Sequence, residues 1–195
     1  MTLLRRFLIV AAALLVALAI VPALLPSAYH VERAIEIRAN PETIHALVGD
    51  LAAWERWTPW RASDPTIETD ILVASGPTAH QVWTGKSGDG DLQFTASDPR
   101  TGIAYDMTFG NGAYESKGAI RYTPADDGTV VTWTMDGDAD NWFGRYFAAM
   151  TDRMVGPMFE DGLASLRTEA EALASEDPAG ESAALSSPDA PGPPG

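Results

Sequence analysis

Residues 142–174 read WFGRYFAAMTDRMVGPMFEDGLASLRTEAEALA, and their larger apolar side chains recur at helical spacing. A stripe of this kind is typical of a helix that buries one face. Proline inside a helix removes a backbone hydrogen bond and crowds the preceding turn, so Pro157 predicts a kink. The segment therefore predicts one long, kinked helix. The residues of its apolar stripe are Phe143, Phe147, Met150, Met154, Met158, Phe159, Leu163, Leu166, Ala170 and Leu173.

Such a helix needs an apolar surface to cover, and the middle of the chain provides one. From Thr66 to Asp136, clusters of Gly, Pro, Asn and Asp recur every 10 to 15 residues between short segments of strand character. This spacing predicts an antiparallel meander. Because one face of these strands is apolar, the sheet needs a cover, and the C-terminal helix supplies it. The apolar face consists of Leu92, Phe94, Ala96, Ile103, Tyr105, Met107, Phe109, Tyr114, Gly118, Ile120, Tyr122, Val131, Trp133 and Met135.

One further strand and one helix precede the meander. Residues 30–39 alternate between apolar and polar side chains, which is the period of a half-buried strand. A helix over residues 42–51 follows, because Asn40 is a good N-cap and Pro41 suits the first helical position.

Three indoles come after this helix, at Trp54, Trp57 and Trp60. They allow two interpretations. They form an aromatic lip that stacks on an apolar ligand, or they pack as core under the edge of the sheet. The sequence leaves both interpretations open.

A long apolar run lies near the N-terminus. Residues 7–21, FLIVAAALLVALAIV, contain no polar side chain. With residues 22–25 the apolar run reaches nineteen residues, and Glu32 is the first charge after it. This length lies between the core of a signal peptide and a helix that spans a bilayer. We favour a retained transmembrane anchor over residues 1–28, because Pro26 stands where cleavage needs a small residue. Arg5 and Arg6 predict a cytoplasmic N-terminus and an extracytoplasmic domain, periplasmic or extracellular.

The other end of the chain has a different composition. Residues 175–195 contain four acidic residues, five prolines and no basic or aromatic residue. Such a segment buries too little apolar surface to offset the entropy of ordering, so we expect a disordered tail. The folded domain is therefore expected over residues 29–174, which is long enough for a hydrophobic core.

The overall composition excludes several classes of protein. The chain of 195 residues carries a formal charge of −14 and no basic cluster beyond Arg5-Arg6, so nucleic acid is not an expected partner. It contains no cysteine, which excludes disulfides, thiolate nucleophiles and cysteine-based metal sites.

The other potential metal ligands are not arranged as a site. The three histidines are far apart in sequence, and no zinc motif is present. Residues 136–140 have the D-x-D-x-D spacing of a calcium loop, but Asn141 and Phe147 stand where an EF-hand needs a glycine and an acid. The glycine-rich segment 85–90 lacks the spacing of a phosphate-binding loop and predicts a hairpin loop. We therefore expect no metal and no cofactor.

Several short motifs carry a resemblance to a known family. They are ANPE at residues 39–42, DLxxWxxWxPW at 50–60 and VGPMFExGL at 155–163, with support from WxG at 83–85 and GTxVxW at 128–133. In these motifs and in the order of its elements, the chain resembles the polyketide cyclase and dehydrase branch of the SRPBCC superfamily. The resemblance covers residues 29–174.

The resemblance implies an α+β fold of the START-like, helix-grip type. We expect a curved antiparallel sheet of about seven strands around the long kinked C-terminal helix, preceded by one transmembrane helix. Members of the family hold an elongated apolar cavity between sheet and helix. Many carry lipids, sterols or aromatic polyketides, and some catalyse cyclisation.

The expected function is therefore that of a membrane-anchored protein that binds a hydrophobic small molecule of lipid, isoprenoid or polyketide-like type. The expected partners are this molecule and the membrane. Neither the identity of the ligand nor the oligomeric state follows from the sequence. The residues expected to line the cavity are Trp57, Trp60, Tyr105, Met107, Phe109, Tyr122, Trp133, Phe147, Met150, Met154 and Met158.

Two alternatives remain open. In the first, the protein is a cyclase or dehydratase that acts on an apolar substrate in the same cavity. The residues available for proton transfer would then be Tyr105, Tyr114, Tyr122, His80 and Glu115. In the second, the core is filled and the domain is a scaffold for protein contacts. The chain lacks an evident acid–base set, which favours binding over catalysis.

Overall fold

The computed structural model describes residues 2–139, 141–142 and 144–176. It contains four α-helices, one 3₁₀ helix and seven strands in these ranges. In chain order they are α1 (Thr2–Leu24), β1 (Ala28–Ile37), α2 (Pro41–Val48), the 3₁₀ helix (Leu51–Arg56), α3 (Trp60–Ser63), β2 (Glu68–Val73), β3 (His80–Thr84), β4 (Gly90–Asp98), β5 (Gly102–Phe109), β6 (Tyr114–Ala125), β7 (Gly128–Asp138) and α4 (Gly144–Glu176).

The strands form one antiparallel sheet in the order β1-β7-β6-β5-β4-β3-β2. Strands β2 to β7 are a meander in which each strand pairs with the next. Strand β1 pairs with β7, with Ala28 opposite Asp138. The predicted α+β helix-grip architecture, a seven-stranded antiparallel sheet with a long C-terminal helix, is therefore confirmed.

Helix α2 begins where the sequence predicts. The Asn40 side chain accepts a hydrogen bond from the Thr43 N–H at 2.7 Å and so caps the helix. The helix ends earlier than expected, with Gly49 as its C-cap. A 3₁₀ helix follows instead, because the Asp50 carboxylate accepts a hydrogen bond from the Ala52 N–H at 2.9 Å.

Helix α4 lies on the inner face of the sheet, where it contacts β1 and β7. Its buried side changes in character along the helix. In the second half the large residues of the predicted stripe are buried, among them Phe159, Leu163 and Leu166. In the first half the buried residues are small, and Ala148 and Thr151 are examples. Small residues allow the helix backbone to approach the sheet.

The predicted stripe is therefore wrong at two positions in the first half of α4. Met150 and Met154 are each 53% exposed, and the line of buried residues passes through Ala148 and Thr151 beside them. Small side chains give a weak hydropathy signal, so the pattern in the sequence followed the larger thioethers. Phe143, which belongs to the same predicted stripe, lies outside the described residues.

A charged residue of β1 also faces α4. Arg33 donates hydrogen bonds to Glu160 at 2.6 Å and to Asp152 at 2.8 Å, one turn on either side of Gly156. A Cβ on Gly156 would lie 2.1 Å from the guanidinium. Glycine at this position therefore leaves the space that lets Arg33 join β1 to the helix.

Three aromatic side chains of the inner face lie over glycines of a neighbouring strand. They are Tyr105 over Gly118, Tyr29 over Gly137 and Trp83 over Gly90. A Cβ on any of these glycines would lie 2.0–2.2 Å from the aromatic side chain. Glycine in a strand interior often marks such a close approach. These positions let large rings lie against the backbone of the sheet.

Helix α1 lies against the start of α4. The Tyr146 hydroxyl donates a hydrogen bond to the Leu18 carbonyl at 2.6 Å, and the Arg145 guanidinium donates one to the Leu25 carbonyl at 3.0 Å. The segment Leu3–Leu24 is long and apolar enough to cross a membrane, and a signal sequence near an N-terminus meets the same test.

The predicted C-terminal tail begins at Ser175, whereas α4 continues to Glu176. The helix therefore extends slightly beyond the expected boundary of the domain. The rest of the tail, residues 177–195, lies outside the described residues, as does Asp140 of the D-x-D-x-D segment.

We predict that Gly118→Ala destabilises the domain by about 1–3 kcal/mol, because the core around the new methyl group is already filled. The Cβ would lie 2.1 Å from the Tyr105 ring. Chemical denaturation measures the free energy of unfolding. If steric overlap between the new methyl group and the Tyr105 ring is the cause, Gly118→Ala lowers the free energy of unfolding less in a Tyr105→Leu background than in the wild type. An equal cost in both backgrounds would contradict this explanation.

Candidate functional site

A cavity of about 310 Å³ lies between the inner face of the sheet and α4. Side chains two residues apart on a strand point to the same face, so neighbouring strands present alternate residues to this space. The residues of the sheet that line it are Thr69 of β2, Gln81 and Trp83 of β3, Leu92 of β4, Tyr105, Met107 and Phe109 of β5, and Met135 of β7.

Helix α4 forms the opposite wall of the cavity through Phe147, Val155, Met158 and Phe159. An aromatic cluster backs the end near Phe147. The rings of Tyr114 and Phe147 stack with centroids 4.8 Å apart, and Phe109 stacks on Tyr114 at 5.3 Å. The walls of the cavity are therefore mostly apolar and aromatic.

Trp133 does not line the cavity, but it contacts two residues that do, Phe159 and Tyr105. Its ring stacks on Phe159 with centroids 4.0 Å apart, and its Nε1 donates a hydrogen bond to the Tyr105 hydroxyl at 2.9 Å. Burial raises the pKa of Tyr105 to about 12, so the phenol is neutral at physiological pH. Tyr105 thus contributes an uncharged side chain to the lining of the cavity.

At the rim of the cavity, Asp64 connects the segment after α3 to the loop between β3 and β4. Its carboxylate accepts hydrogen bonds from the Ser87 N–H at 2.9 Å and hydroxyl at 2.7 Å, and others from Thr66. These hydrogen bonds hold the pKa of Asp64 well below its usual range. The carboxylate is therefore ionised, and its hydrogen bonds tie the loop between β3 and β4 to the segment after α3.

A second hollow of about 280 Å³ adjoins the main cavity beneath the 3₁₀ helix and α3. The two spaces share five lining residues, which are Trp54, Trp60, Ile67, Thr69 and Gln81. The second hollow is more polar, because Glu55, Thr58 and Arg61 also line it.

The structure brings part of the predicted lining together. Trp60, Tyr105, Met107, Phe109, Phe147 and Met158 line the main cavity. Trp57, Tyr122 and Trp133 are instead buried in the hydrophobic core. Met150 and Met154 are exposed, so their assignment to the cavity is wrong. Ligand contact by the residues that do line the space stays a prediction.

The three indoles differ in position: one packs in the core, and the other two border the cavity. Trp57 is 1% exposed and donates a hydrogen bond to the Leu47 carbonyl at 3.2 Å, so it is core. Trp54 donates to the Val48 carbonyl at 2.9 Å, but its ring also lines both hollows. Trp60 lies at the rim and is partly exposed.

Several lining residues were missed by the sequence analysis. They are Trp54, Ile67, Gln81, Trp83, Leu92, Met135, Val155 and Phe159, together with the polar residues of the rim. Strand alternation with Trp83 could have placed Gln81 on the inner face. The set of residues expected on the inner face was chosen for apolar side chains, so it did not include a glutamine.

Of the residues considered for proton transfer, Tyr105 lines the cavity. His80 lies 2.7 Å from Asp91 and alternates with Gln81 on β3, so it belongs to the opposite face of the sheet. Tyr114, Tyr122 and Glu115 also lie outside the lining. Among the residues that the structure describes, no three His, Asp or Glu side chains are placed to hold a metal ion.

Residues 28–171 match the family described as polyketide cyclase / dehydrase and lipid transport. The chain belongs to this family. The match spans most of the folded part of this polyketide cyclase / dehydrase family member and confirms the resemblance found in the sequence motifs. Comparison with curated proteins gave no match.

Solved structures of other proteins share the fold of this family member. A crystal structure from Chromobacterium violaceum aligns with a TM-score of 0.55 at 15% identity, covering 73% of this chain and 98% of that one. A solution structure from Thermobifida fusca aligns with a TM-score of 0.55 at 22% identity, covering 74% and 94%. A crystal structure from Thermus thermophilus gives 0.51 at 17% identity, covering 75% and 98%. At such identities the likeness shows a common fold alone.

We predict that Asp64→Ala frees the β3–β4 loop at the rim, because the Ser87 N–H loses its acceptor. Hydrogen–deuterium exchange should accelerate at Ser87, whereas Asp89→Ala in the same loop should leave that exchange unchanged. Unaltered exchange at Ser87 in Asp64→Ala would show that the loop is held by other contacts.

The same contact predicts a pH dependence. Folding lowers the pKa of Asp64. The stability that its hydrogen bonds contribute is therefore complete above the ordinary pKa of aspartate, and it is lost as the pH falls through the lowered value. Protection of the Ser87 amide in the wild type should therefore persist at a pH where an unperturbed aspartate is already protonated. Hydrogen–deuterium exchange measured at a series of acidic pH values checks this expectation. Loss of protection at the ordinary pKa of aspartate would contradict it.

Proposed function

We propose that this domain binds a hydrophobic small molecule, of lipid, isoprenoid or polyketide-like type, in the cavity between α4 and the sheet. The observation that carries the proposal is a space of about 310 Å³ with mostly apolar walls. A ligand gains about 25 cal/mol for each Å² of apolar surface that it removes from water. Burial in this cavity is thus the main source of affinity, as is usual for such sites.

The ionisable residues of the lining favour binding over catalysis. Tyr105 is neutral at physiological pH because burial raises its pKa to about 12. Asp64 is ionised, and its oxygens already accept hydrogen bonds from Thr66 and Ser87. A general acid–base pair needs groups that exchange protons near the working pH. Neither residue meets this requirement.

We further propose that α1 is a retained membrane anchor, with a cytoplasmic N-terminus and the domain on the other side of the membrane. Arg5 and Arg6 precede the apolar run, in agreement with the positive-inside rule. The hydrogen bonds of Arg145 and Tyr146 to the last turns of α1 would hold α4 close to the bilayer surface. A lipidic ligand would then be available at high local concentration.

The ligand proposal predicts that the full-length protein, incubated with bilayer lipid and analysed by native mass spectrometry, carries a bound apolar molecule. Val155→Phe should lower the bound fraction, because Val155 lines the cavity. Met154→Phe, at the neighbouring exposed position, should leave it unchanged. A thermal melt confirms that both variants are folded. Protein free of bound molecules in every lipid tested, or equal effects of the two variants, would contradict the proposal.

The anchor proposal is tested with single cysteines, because the chain has none of its own. Thr95→Cys, on the exposed side of β4, should react with a membrane-impermeant maleimide added to intact cells from outside. Leu3→Cys should react only after lysis. The reverse pattern would contradict the orientation, and a purified protein whose mass lacks residues 1–28 would identify a cleaved signal peptide.

A further inference from the structure

One buried polar side chain in the cavity has no partner. Gln81 is 7% exposed and lines the main cavity, and within the described part of the chain its carboxamide makes no hydrogen bond. Among the described residues, the fully enclosed polar atoms without a partner are the Tyr29 and Ser116 hydroxyls, so the Gln81 carboxamide borders the open space of the cavity. The carboxamide is therefore placed to bond with a molecule that enters the cavity.

The other polar side chains of the lining do not share this property. The Ser63 hydroxyl donates to the Pro59 carbonyl at 3.0 Å, and Asp64 and Ser87 bond to each other. Thr69 is exposed on β2, so solvent has access to its hydroxyl. Gln81 is thus the buried residue of the described lining whose polar side-chain atoms make no hydrogen bond.

Gln81 stands where the main cavity meets the second hollow. It lines both spaces together with Trp54 and Trp60, so a molecule that occupies both lies beside the carboxamide. The main cavity is apolar, whereas Glu55 and Arg61 line the second hollow. The two spaces therefore fit a molecule with an apolar body and a polar end.

The charges around this junction favour a polar end that is uncharged. Arg61 donates to Glu55 at 2.6 Å, so the two charges of the second hollow neutralise each other. Gln81 is itself neutral, and the chain as a whole carries a formal charge of −14. The cation of the described lining is Arg61, and it already pairs with Glu55. An ionised carboxylate or phosphate would therefore have to compete with Glu55 for it, and leaving water without a cation of its own is unfavourable.

We infer that the ligand is an uncharged amphipathic molecule whose apolar body fills the main cavity and whose hydroxyl, carbonyl or amide group bonds to Gln81 at the entrance of the second hollow. Both groups of the carboxamide can serve, since its oxygen accepts hydrogen bonds and its nitrogen donates them. This inference rests on the proposed function and adds the chemical class of the ligand.

The experiment compares three probes that share one ring system: 2-naphthalenemethanol, 2-ethylnaphthalene and 2-naphthoate. Isothermal titration calorimetry with the full-length protein in amphipol gives each affinity, with amphipol alone as the blank. One hydrogen bond to a buried neutral partner corresponds to a preference of about five- to tenfold. The ratio of alcohol affinity to hydrocarbon affinity should be about that much higher in the wild type than in a variant without the carboxamide, and 2-naphthoate should bind the wild type more weakly than the alcohol.

Gln81→Met tests the residue, because methionine has a similar shape and no hydrogen-bonding amide. The ratio of alcohol affinity to hydrocarbon affinity should fall about five- to tenfold in Gln81→Met. It should stay at the wild-type value in Gln93→Met, which alters the exposed glutamine of β4. Partition of each probe into amphipol cancels in this comparison of ratios, and a thermal melt confirms that each variant is folded.

The outcomes separate the two proposals. If Gln81→Met keeps the wild-type ratio of alcohol affinity to hydrocarbon affinity, the inference about Gln81 is overturned while hydrophobic binding stands. If 2-naphthoate binds best, the uncharged class is overturned. If none of the three probes binds, the proposed function fails and the inference fails with it.

Discussion

Helix α4 and the sheet meet in a close aromatic contact that marks one end of the cavity. The Trp133 ring stacks on Phe159 at 4.0 Å, and Gly162 lets the indole approach the helix, since a Cβ there would lie 3.0 Å from the ring. Beyond this contact, toward the C-terminus of α4, large side chains such as Leu166 fill the core. Before it, the buried residues of the helix are small and the cavity remains open. The stacked pair thus stands between a filled core and a hollow.

The hydrogen bonds around the hollow distinguish structural polar groups from available ones. The Tyr105 hydroxyl accepts a hydrogen bond from Trp133, and the Asp64 carboxylate is engaged by its neighbours at the rim. Both groups stabilise the walls. Gln81, in contrast, is buried without a partner in the described part of the chain. The family match and the apolar walls favour a hydrophobic ligand, and this one amide favours a ligand with a polar end.

Much of the fold could be predicted from local patterns. Strand alternation and turn residues predicted the meander, and the cap formed by Asn40 predicted the start of α2. The uninterrupted apolar run predicted α1. Prediction of the site was less complete. Met107 and Phe109 were expected on the correct face because their strand has a strict period of two, whereas Met150 and Met154 were expected on the wrong side of α4.

The sequence by itself determined the elements and their family, because periodicity, capping and short motifs are properties of neighbouring residues. Only the tertiary structure decided which side of α4 faces the sheet, because the buried positions Ala148 and Thr151 have side chains too small or too polar to appear in a hydropathy pattern. It also decided that Trp57 is core while Trp54 borders the cavity, and that Gln81 is buried. These outcomes depend on distances between elements far apart in the chain, which no local pattern encodes.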